Sequence, residues 1–342
     1  MRIVVCGTVI AAFAGLSVAP ASAADADAAA FYRGRTVTII NAGGVGGGSG
    51  TYAQVAKPYL EKNLPGAPQI VQQYMPGAGG AKAANYLFTV APRDGSVIGQ
   101  PLQELVLWAR LGASSARYDA SQFRYLGGAD VTRSTLTVMK SAGVASIEDA
   151  RRKEIVMAAG GKGSQTYMYP AIANAILGTK FRIVTGYAGT GDMNLAIERG
   201  EAHGRAGQWA SFKAARPQWI ADKRLVNLAV VGPDPEPELP DVPLLSSLAK
   251  TLGDKAVLDL VSLTALLGRA WVAPPKVPAD RIAALRLGFA AAFTDKTFIA
   301  EAGRRNLDLH PVTWQAQEAA AKTILATDQH AVDRLRQILE IK

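Results

Sequence analysis

A β-branched run from Thr36 to Ile40 enters a glycine-rich stretch, Ala42 to Gly50, and from Thr51 to Leu64 apolar residues recur at helical spacing. Strand, glycine loop and helix in that order open an α/β unit. Pro58 inside the helical stretch is expected to kink it or to mark its first turn. Gln69 to Gln73 predicts a second strand. It leads into Met75-Pro76-Gly77-Ala78-Gly79-Gly80 and a helix from Ala81 to Phe88. Asp94-Gly95 is a turn before the short strand Ser96 to Gly99. Thr135 to Met139, Glu154 to Ala158 and Phe181 to Thr185 read as strands. Gly160 to Ser164 repeats the loop-to-helix pattern, as does Gly186 to Gly191 before a helix from Asp192 to Arg199. Val226 to Val231 is a strand that stops at a proline-rich connector, Pro233 to Pro243. Ala270 to Ala273 is a strand before Pro274-Pro275, and two amphipathic helices follow, Ala279 to Phe293 and Trp314 to Leu339. Alternating strands and helices with short loops predict parallel sheets covered by helices. No short-period repeat interrupts this order, and residues 24 to 30 read as a loose tail.

The ends of the chain and its composition narrow the setting. Met1-Arg2 gives a short positive start, Ile3 to Val18 is an almost uncharged apolar stretch, and Ala21-Ser22-Ala23 supplies small residues for cleavage. That is the pattern of a secretory signal peptide, with cleavage expected after Ala23 and the mature protein in the periplasm. The apolar stretch is short for a membrane span, and so is Leu258 to Leu267, which reads as core. At 342 residues the chain exceeds what one hydrophobic core usually supports, so two domains are expected. One cysteine excludes a disulfide scaffold and a thiolate metal cage, and three histidines argue against a histidine metal site. The net charge of +9 admits a nucleic-acid partner, but the basic residues are scattered. Their densest cluster, Arg151-Arg152-Lys153, is followed by Glu154 and reads as a solvated helix end. No nucleic-acid partner, metal or cofactor is therefore expected.

The glycine loops carry the candidate chemistry. Helix starts expose unpaired amides and the positive end of the helix dipole, and glycine lets a ligand approach that backbone. Gly46-Gly47-Gly48-Ser49-Gly50-Thr51 suits a carboxylate or a phosphate, although Ser49 also fits a plain helix cap. Gly163-Ser164-Gln165-Thr166 and Tyr187 to Gly191 are the second and third candidates, each also readable as a simple cap or turn. Gly48, Gly50 and Ala53 fit a dinucleotide fingerprint, but the next strand ends in Gln72-Gln73 where a ribose-binding acid belongs, and no Walker lysine follows. Ser164 is not in a Gly-x-Ser-x-Gly elbow, and His203, His310 and His330 show no spacing that makes them its base. Asp234 and Glu236 read as solvated linker charge. The five tryptophans read as core or domain-interface residues, with Trp209 also a candidate for lining a cleft.

The order of these motifs resembles the solute receptors of tripartite tricarboxylate transporters, the Bug receptors. The likeness runs from Phe31-Tyr32-Arg33-Gly34-Arg35 and the glycine loop before Tyr52-Ala53, through Met75-Pro76-Gly77-Ala78-Gly79-Gly80, Ala83-Ala84-Asn85-Tyr86-Leu87 and Ala91-Pro92-Arg93-Asp94-Gly95. It continues with Gly163-Ser164, Tyr187 to Gly189, and Leu239-Pro240-Asp241-Val242-Pro243. The resemblance implies an α/β fold of the type II periplasmic binding protein class, with two α/β lobes and a ligand cleft between them. Lobe 1 would be discontinuous, residues 24–131 plus 232–342, and lobe 2 would be residues 132–231, after a signal peptide at 1–23. It implies a monomeric, non-enzymatic receptor that captures a di- or tricarboxylate or a related small organic acid and hands it to membrane permease subunits. Carried over by position, the ligand contacts are Gly46, Gly47, Gly48, Ser49, Thr51, Ala78 and Gly79 in lobe 1. In lobe 2 they are Gly163, Ser164, Gln165, Tyr187, Gly189 and Thr190. Affinity is expected from aimed main-chain dipoles, without a formal salt bridge.

The chain departs from the family pattern at several places. Gly50 stands where Asp is common, Tyr74 where Asn is common, Ala188 where Lys is common and His203 where Asp is common. The segment Asn41 to Val45 reads one residue long. These departures bear on ligand preference. Two other classes stay open at this stage: a receptor that signals to a membrane kinase, and a secreted hydrolase on the same lobes.

Overall fold

The computed structural model describes residues 23–44, 48–305 and 307–341. The signal-peptide reading of residues 1–22, and the loop residues Gly46 and Gly47, lie outside the described residues. Among the described residues ten strands form two five-stranded sheets. The first sheet has the order β2-β1-β3-β10-β4, built from β1 (Thr36–Asn41), β2 (Gln69–Tyr74), β3 (Val97–Gln100), β4 (Arg124–Gly128) and β10 (Ala270–Ala273). The second has the order β7-β6-β8-β5-β9, built from β5 (Ser134–Met139), β6 (Ile155–Ala158), β7 (Phe181–Val184), β8 (Gly204–Gln208) and β9 (Leu225–Val231). Every strand between 134 and 231 therefore belongs to one sheet and every strand outside that span to the other.

The expectation of parallel sheets needs correction. In the first sheet β10 runs antiparallel to β3 and β4, and in the second β5 runs antiparallel to β8 and β9. Each reversed strand is the first one formed after the chain passes from one sheet to the other. Hydrophobic periodicity encodes burial and carries no strand direction, so the reversal is invisible to it. It has a consequence for the site. The ends of β1, β2, β3 and β4 share one edge of the first sheet with the beginning of β10, where Ala270 pairs with Gly128.

Two helix readings also change. Residues 24 to 30 are not a loose tail but part of the helix Ala23–Tyr32, whose alanine-rich sequence has high helix propensity. Ala28 and Tyr32 are buried, the helix packs on Ala279–Thr294, and the Tyr32 hydroxyl donates to Gly95 O at 3.2 Å. The single helix expected from Trp314 to Leu339 is two, Trp314–Leu325 and Gln329–Ile338. The break falls where Asp328 caps the second helix by accepting from His330 N–H.

The core has three clusters. In the first lobe Trp271, Phe289, Phe293 and Phe298 stack in a chain of ring contacts under the sheet, with centroids 5.1 to 5.9 Å apart. Burial of each such side chain is worth roughly 2–3 kcal/mol. The largest cluster is continuous between the two sheets: the helix Gln329–Ile338 packs on both Leu252–Ser262 and Gln165–Leu177. Leu258 to Leu267 belongs to this core, as its apolar run predicts. Among the described residues no helix is long and apolar enough to cross a membrane.

Candidate ligand-binding cleft

Both sheets send the ends of their parallel strands into glycine-rich turns, and two of these turns touch. A Cβ built on Gly79 would lie 2.6 Å from the Cα of Gly163, and one on Gly163 would lie 3.1 Å from the Cα of Gly79. Only residues without side chains allow that approach. The contact is held by Trp108, whose indole Nε1 donates to Gly163 O at 2.7 Å. Gly79 and Ala78 sit in left-handed backbone, with φ of 61° and 47°. Ala78, Gly79 and Gly163 line one side of a cavity of about 410 Å³ that Trp108, Lys162 and the C-terminal residues Leu339 to Ile341 complete.

In the second lobe the loop after β6 is shaped by a chain of hydroxyls. Gly160 N–H donates to Thr166 Oγ1 at 3.0 Å, Thr166 Oγ1 and Ser164 Oγ share a bond at 2.7 Å, and Ser164 Oγ donates to Gly161 O at 2.8 Å. This order spends both hydroxyl protons inside the loop. Of the first-turn amides of the helix Gln165–Leu177, that of Tyr167 donates to Ser164 O at 3.0 Å, and those of Gln165 and Thr166 have no acceptor within the helix. Gln165 Oε1 accepts from Ser134 Oγ at 2.7 Å, which ties the helix start to the first residue of β5. Tyr187 is half-buried, and its N–H donates to Ala159 O at 3.4 Å, so the loops after β6 and β7 lie side by side. Gly189 is extended and precedes the helix Thr190–Glu198, which Thr190 begins.

In the first lobe Gly48, Ser49 and Thr51 form the first turn of the helix Gly48–Asn63. The helix continues through Pro58. Asn41, at the end of β1, is fully buried and donates to Gln100 Oε1 at 2.5 Å, while its own Oδ1 accepts from Gly43 N–H at 2.8 Å. Gln100 Nε2 is buried without a partner among the described residues. Ser49 Oγ accepts from Arg269 Nη1 at 3.1 Å. The residue beside this helix start is thus a cation, where the sequence reading has main-chain donors and hydroxyls without a formal salt bridge.

Polar contacts also cross between the sheets at the crossover segments. Gln103 Oε1 accepts from Thr132 Oγ1 at 2.5 Å and from Gln208 Nε2 at 3.0 Å, and Gln103 Nε2 donates to the Tyr169 hydroxyl at 3.0 Å. Lys213 donates to Asp308 at 2.7 Å and to Glu238 at 2.6 Å. Burial opposes the Lys213 charge, but the two carboxylates outweigh it and hold its pKa above the usual lysine value. Asp130 faces His310 at 2.9 Å, and burial raises its pKa to about 6 against the pull of that histidine. Asp130, Asp308, Gln208 and His310 line a second cavity, of about 90 Å³.

Sequence reasoning missed Arg269, Gln103 and Gln208. For Arg269 a signal existed: it is the lone cation in the apolar stretch from Ala256 to Ala273. Trp209 is core, with its Nε1 donating to Glu238 at 2.7 Å. His203 lies at the start of β8, which runs parallel to β6, so it is at the far edge of the sheet from the glycine loop. Its Nδ1 accepts from Val156 N–H at 2.9 Å. His203 is therefore tied into the sheet, away from the glycine loops. Ser164 has Gly161 and Thr166 as partners, while His310 pairs with Asp130 and His330 is exposed on the last helix.

No family model matches the chain, and no curated protein matches its sequence. Solved structures do match. The periplasmic binding protein BugD superposes with a TM-score of 0.70 at 17% identity, covering 91% of this chain and 99% of that one. A Rhodopseudomonas palustris protein solved with adipate gives 0.68 at 19% identity, covering 90% and 98%. MatC from the same organism, solved with bound malate, gives 0.64 at 18% identity, covering 89% and 99%. At these identities the likeness is one of fold. The chain has the two-lobed α/β fold of a periplasmic binding protein, as the motif order led us to expect.

Proposed function

We propose that this chain is a periplasmic receptor for a small organic acid, of the tripartite tricarboxylate transporter type, and that it releases its ligand unchanged to membrane permease subunits. The observation that carries the reading is the main-chain contact of Gly79 with Gly163, which brings turns from the two sheets together beside the helix starts. Lobe 1 is then residues 24–131 with 232–342, and lobe 2 is residues 132–231. The ligand lies between the first turns of Gly48–Asn63 and Gln165–Leu177, where the positive ends of the helix dipoles favour an anion. Closure removes water from those contacts and strengthens them. The adipate and malate bound by proteins of this fold support a carboxylate of similar size. The engagement of Ser164 with Gly161 and Thr166 favours a receptor over a hydrolase. The chain acts as a monomer and reaches the periplasm through residues 1–23.

Titration calorimetry of the mature protein against malate, adipate, citrate and benzoate tests this reading. Binding of at least one acid with a Kd of about 1 μM or tighter, about 8 kcal/mol, is expected. Absence of heat across the panel, together with unchanged melting temperatures, contradicts it.

A further inference from the structure

Strand β10 is the reversed strand of the first sheet, so its beginning lies on the edge where the parallel strands end. Arg269 immediately precedes it, in left-handed backbone with φ of 49°, and is only 5% exposed. The guanidinium is fixed on two sides. Its Nη1 donates to Ser49 Oγ at 3.1 Å, and its Cζ stands 4.6 Å from the centroid of the Tyr52 ring. It also lies directly over the helix start, because a Cβ on Gly48 would fall 2.7 Å from Nη2.

The remaining edge packs against the helix start and is closed to solvent. Nε and Nη2 are buried and have no hydrogen-bond partner among the described residues. These two nitrogens form the side of the guanidinium that receives both oxygens of a carboxylate in parallel bonds. The nearby acids do not close on it: Asp130 is engaged with His310, and Asp308 with Lys213. A buried cation whose fork has no partner among the described residues is costly until an anion meets it.

We propose that Arg269 is the charge-reading residue of the cleft, and that a ligand carboxylate binds across its Nε and Nη2 against the first turn of Gly48–Asn63. The inference rests on the organic-acid reading above and changes its chemistry: recognition includes a buried ion pair in addition to main-chain dipoles. The ligand class is correspondingly narrow. A planar carboxylate satisfies the fork, while a neutral amide of the same shape leaves the cation unpaired.

The test uses the mature protein, the variants Arg269→Gln and Arg269→Lys, and calorimetry with malate, adipate and their diamides. The wild type is expected to prefer an acid over its diamide by about a hundredfold or more. Arg269→Gln is expected to weaken acid binding by about a hundredfold and to bring that preference close to unity. Arg269→Lys keeps the charge without the fork and is expected to recover less than a tenth of the affinity. If the wild type binds an acid and Arg269→Gln keeps the acid preference, Arg269 is a packing residue and this inference fails alone. If the glutamine variant does not fold, unchanged acid binding by Arg269→Lys overturns the inference. If the wild type binds none of malate, adipate, citrate and benzoate, the organic-acid reading falls and takes this inference with it.

Discussion

The ring of Tyr74 stands where a side chain at position 50 would be: a Cβ on Gly50 falls 2.8 Å from both the Tyr74 hydroxyl and a ring carbon. The start of the helix Gly48–Asn63 and the end of β2 therefore meet at these two residues. The absent side chain of Gly50 is the space that the tyrosine fills. Gly50→Asp alone is expected to cost about 1–3 kcal/mol by overpacking. Adding Tyr74→Asn is expected to return part of that, with a coupling energy of about 1 kcal/mol or more in a double-mutant cycle. Denaturant melts of the four proteins measure it, and strict additivity would show that the two positions are independent.

Gly79 and Gly163 are predicted to differ in their tolerance of alanine. At Gly79 the new Cβ meets backbone at 2.6 Å, and φ of 61° adds about 1–2 kcal/mol of left-handed strain. At Gly163 the contact is 3.1 Å, which a small shift relieves. Gly79→Ala is expected to weaken acid binding by about tenfold or more, and Gly163→Ala by less. Calorimetry gives the ranking, and the opposite order would mean that this contact does not set closure.

Lys213 ties the helix Trp209–Ala215 to Asp308 and Glu238, with its own side chain 16% exposed. Its carboxylate partners are wetter, so the pair is discounted to about 1 kcal/mol. Lys213→Met is expected to raise the radius of gyration of the ligand-free protein in small-angle scattering and to reduce the salt dependence of its melting. An unchanged radius would place the lobe closure elsewhere, with the Gln103 contacts as the next candidate.

Glu104 gives a pH signature. It is 2% exposed, its Oε1 has no partner among the described residues, and burial raises its pKa to about 7. The folded protein therefore holds this proton more tightly than the unfolded chain, whose carboxyl titrates near pH ~4.3. Its contribution is complete below that pH and is lost as pH rises through about 7. The loss is about 4 kcal/mol as an order of magnitude. Glu104→Gln is expected to flatten the stability profile between pH ~4 and ~8 by removing this titration. A variant whose profile keeps the wild-type slope would show that another group carries it.

The order of elements was readable wherever burial has a period. β1, β2, β6 and β9 stand within a residue of their sequence positions and the helices Ala81–Thr89 and Thr190–Glu198 within two, while the helix Gly48–Asn63 begins three residues before the expected Thr51. β4 and β8 were not read, because Tyr125-Leu126-Gly127-Gly128 and Gly204-Arg205-Ala206-Gly207 hide buried backbone behind glycine and arginine. Arg205 itself is fully buried, stacked on Phe212 and bonded to Asn194 Oδ1. The glycine loops were legible as loops, since several glycines at a strand end have few other uses. What they face was not, because the reversed strands β5 and β10 bring Ser134 and Arg269 to the cleft edge from distant parts of the chain. That juxtaposition is a property of strand direction and leaves no local pattern.

A crystal structure of the mature protein with its tightest-binding acid tests the central claim most directly. The account predicts carboxylate density between the first turns of Gly48–Asn63 and Gln165–Leu177, within hydrogen-bonding distance of main-chain amides from both lobes. Density confined to the cavity beside Leu339 to Ile341, or an acid held by one lobe alone, would contradict it.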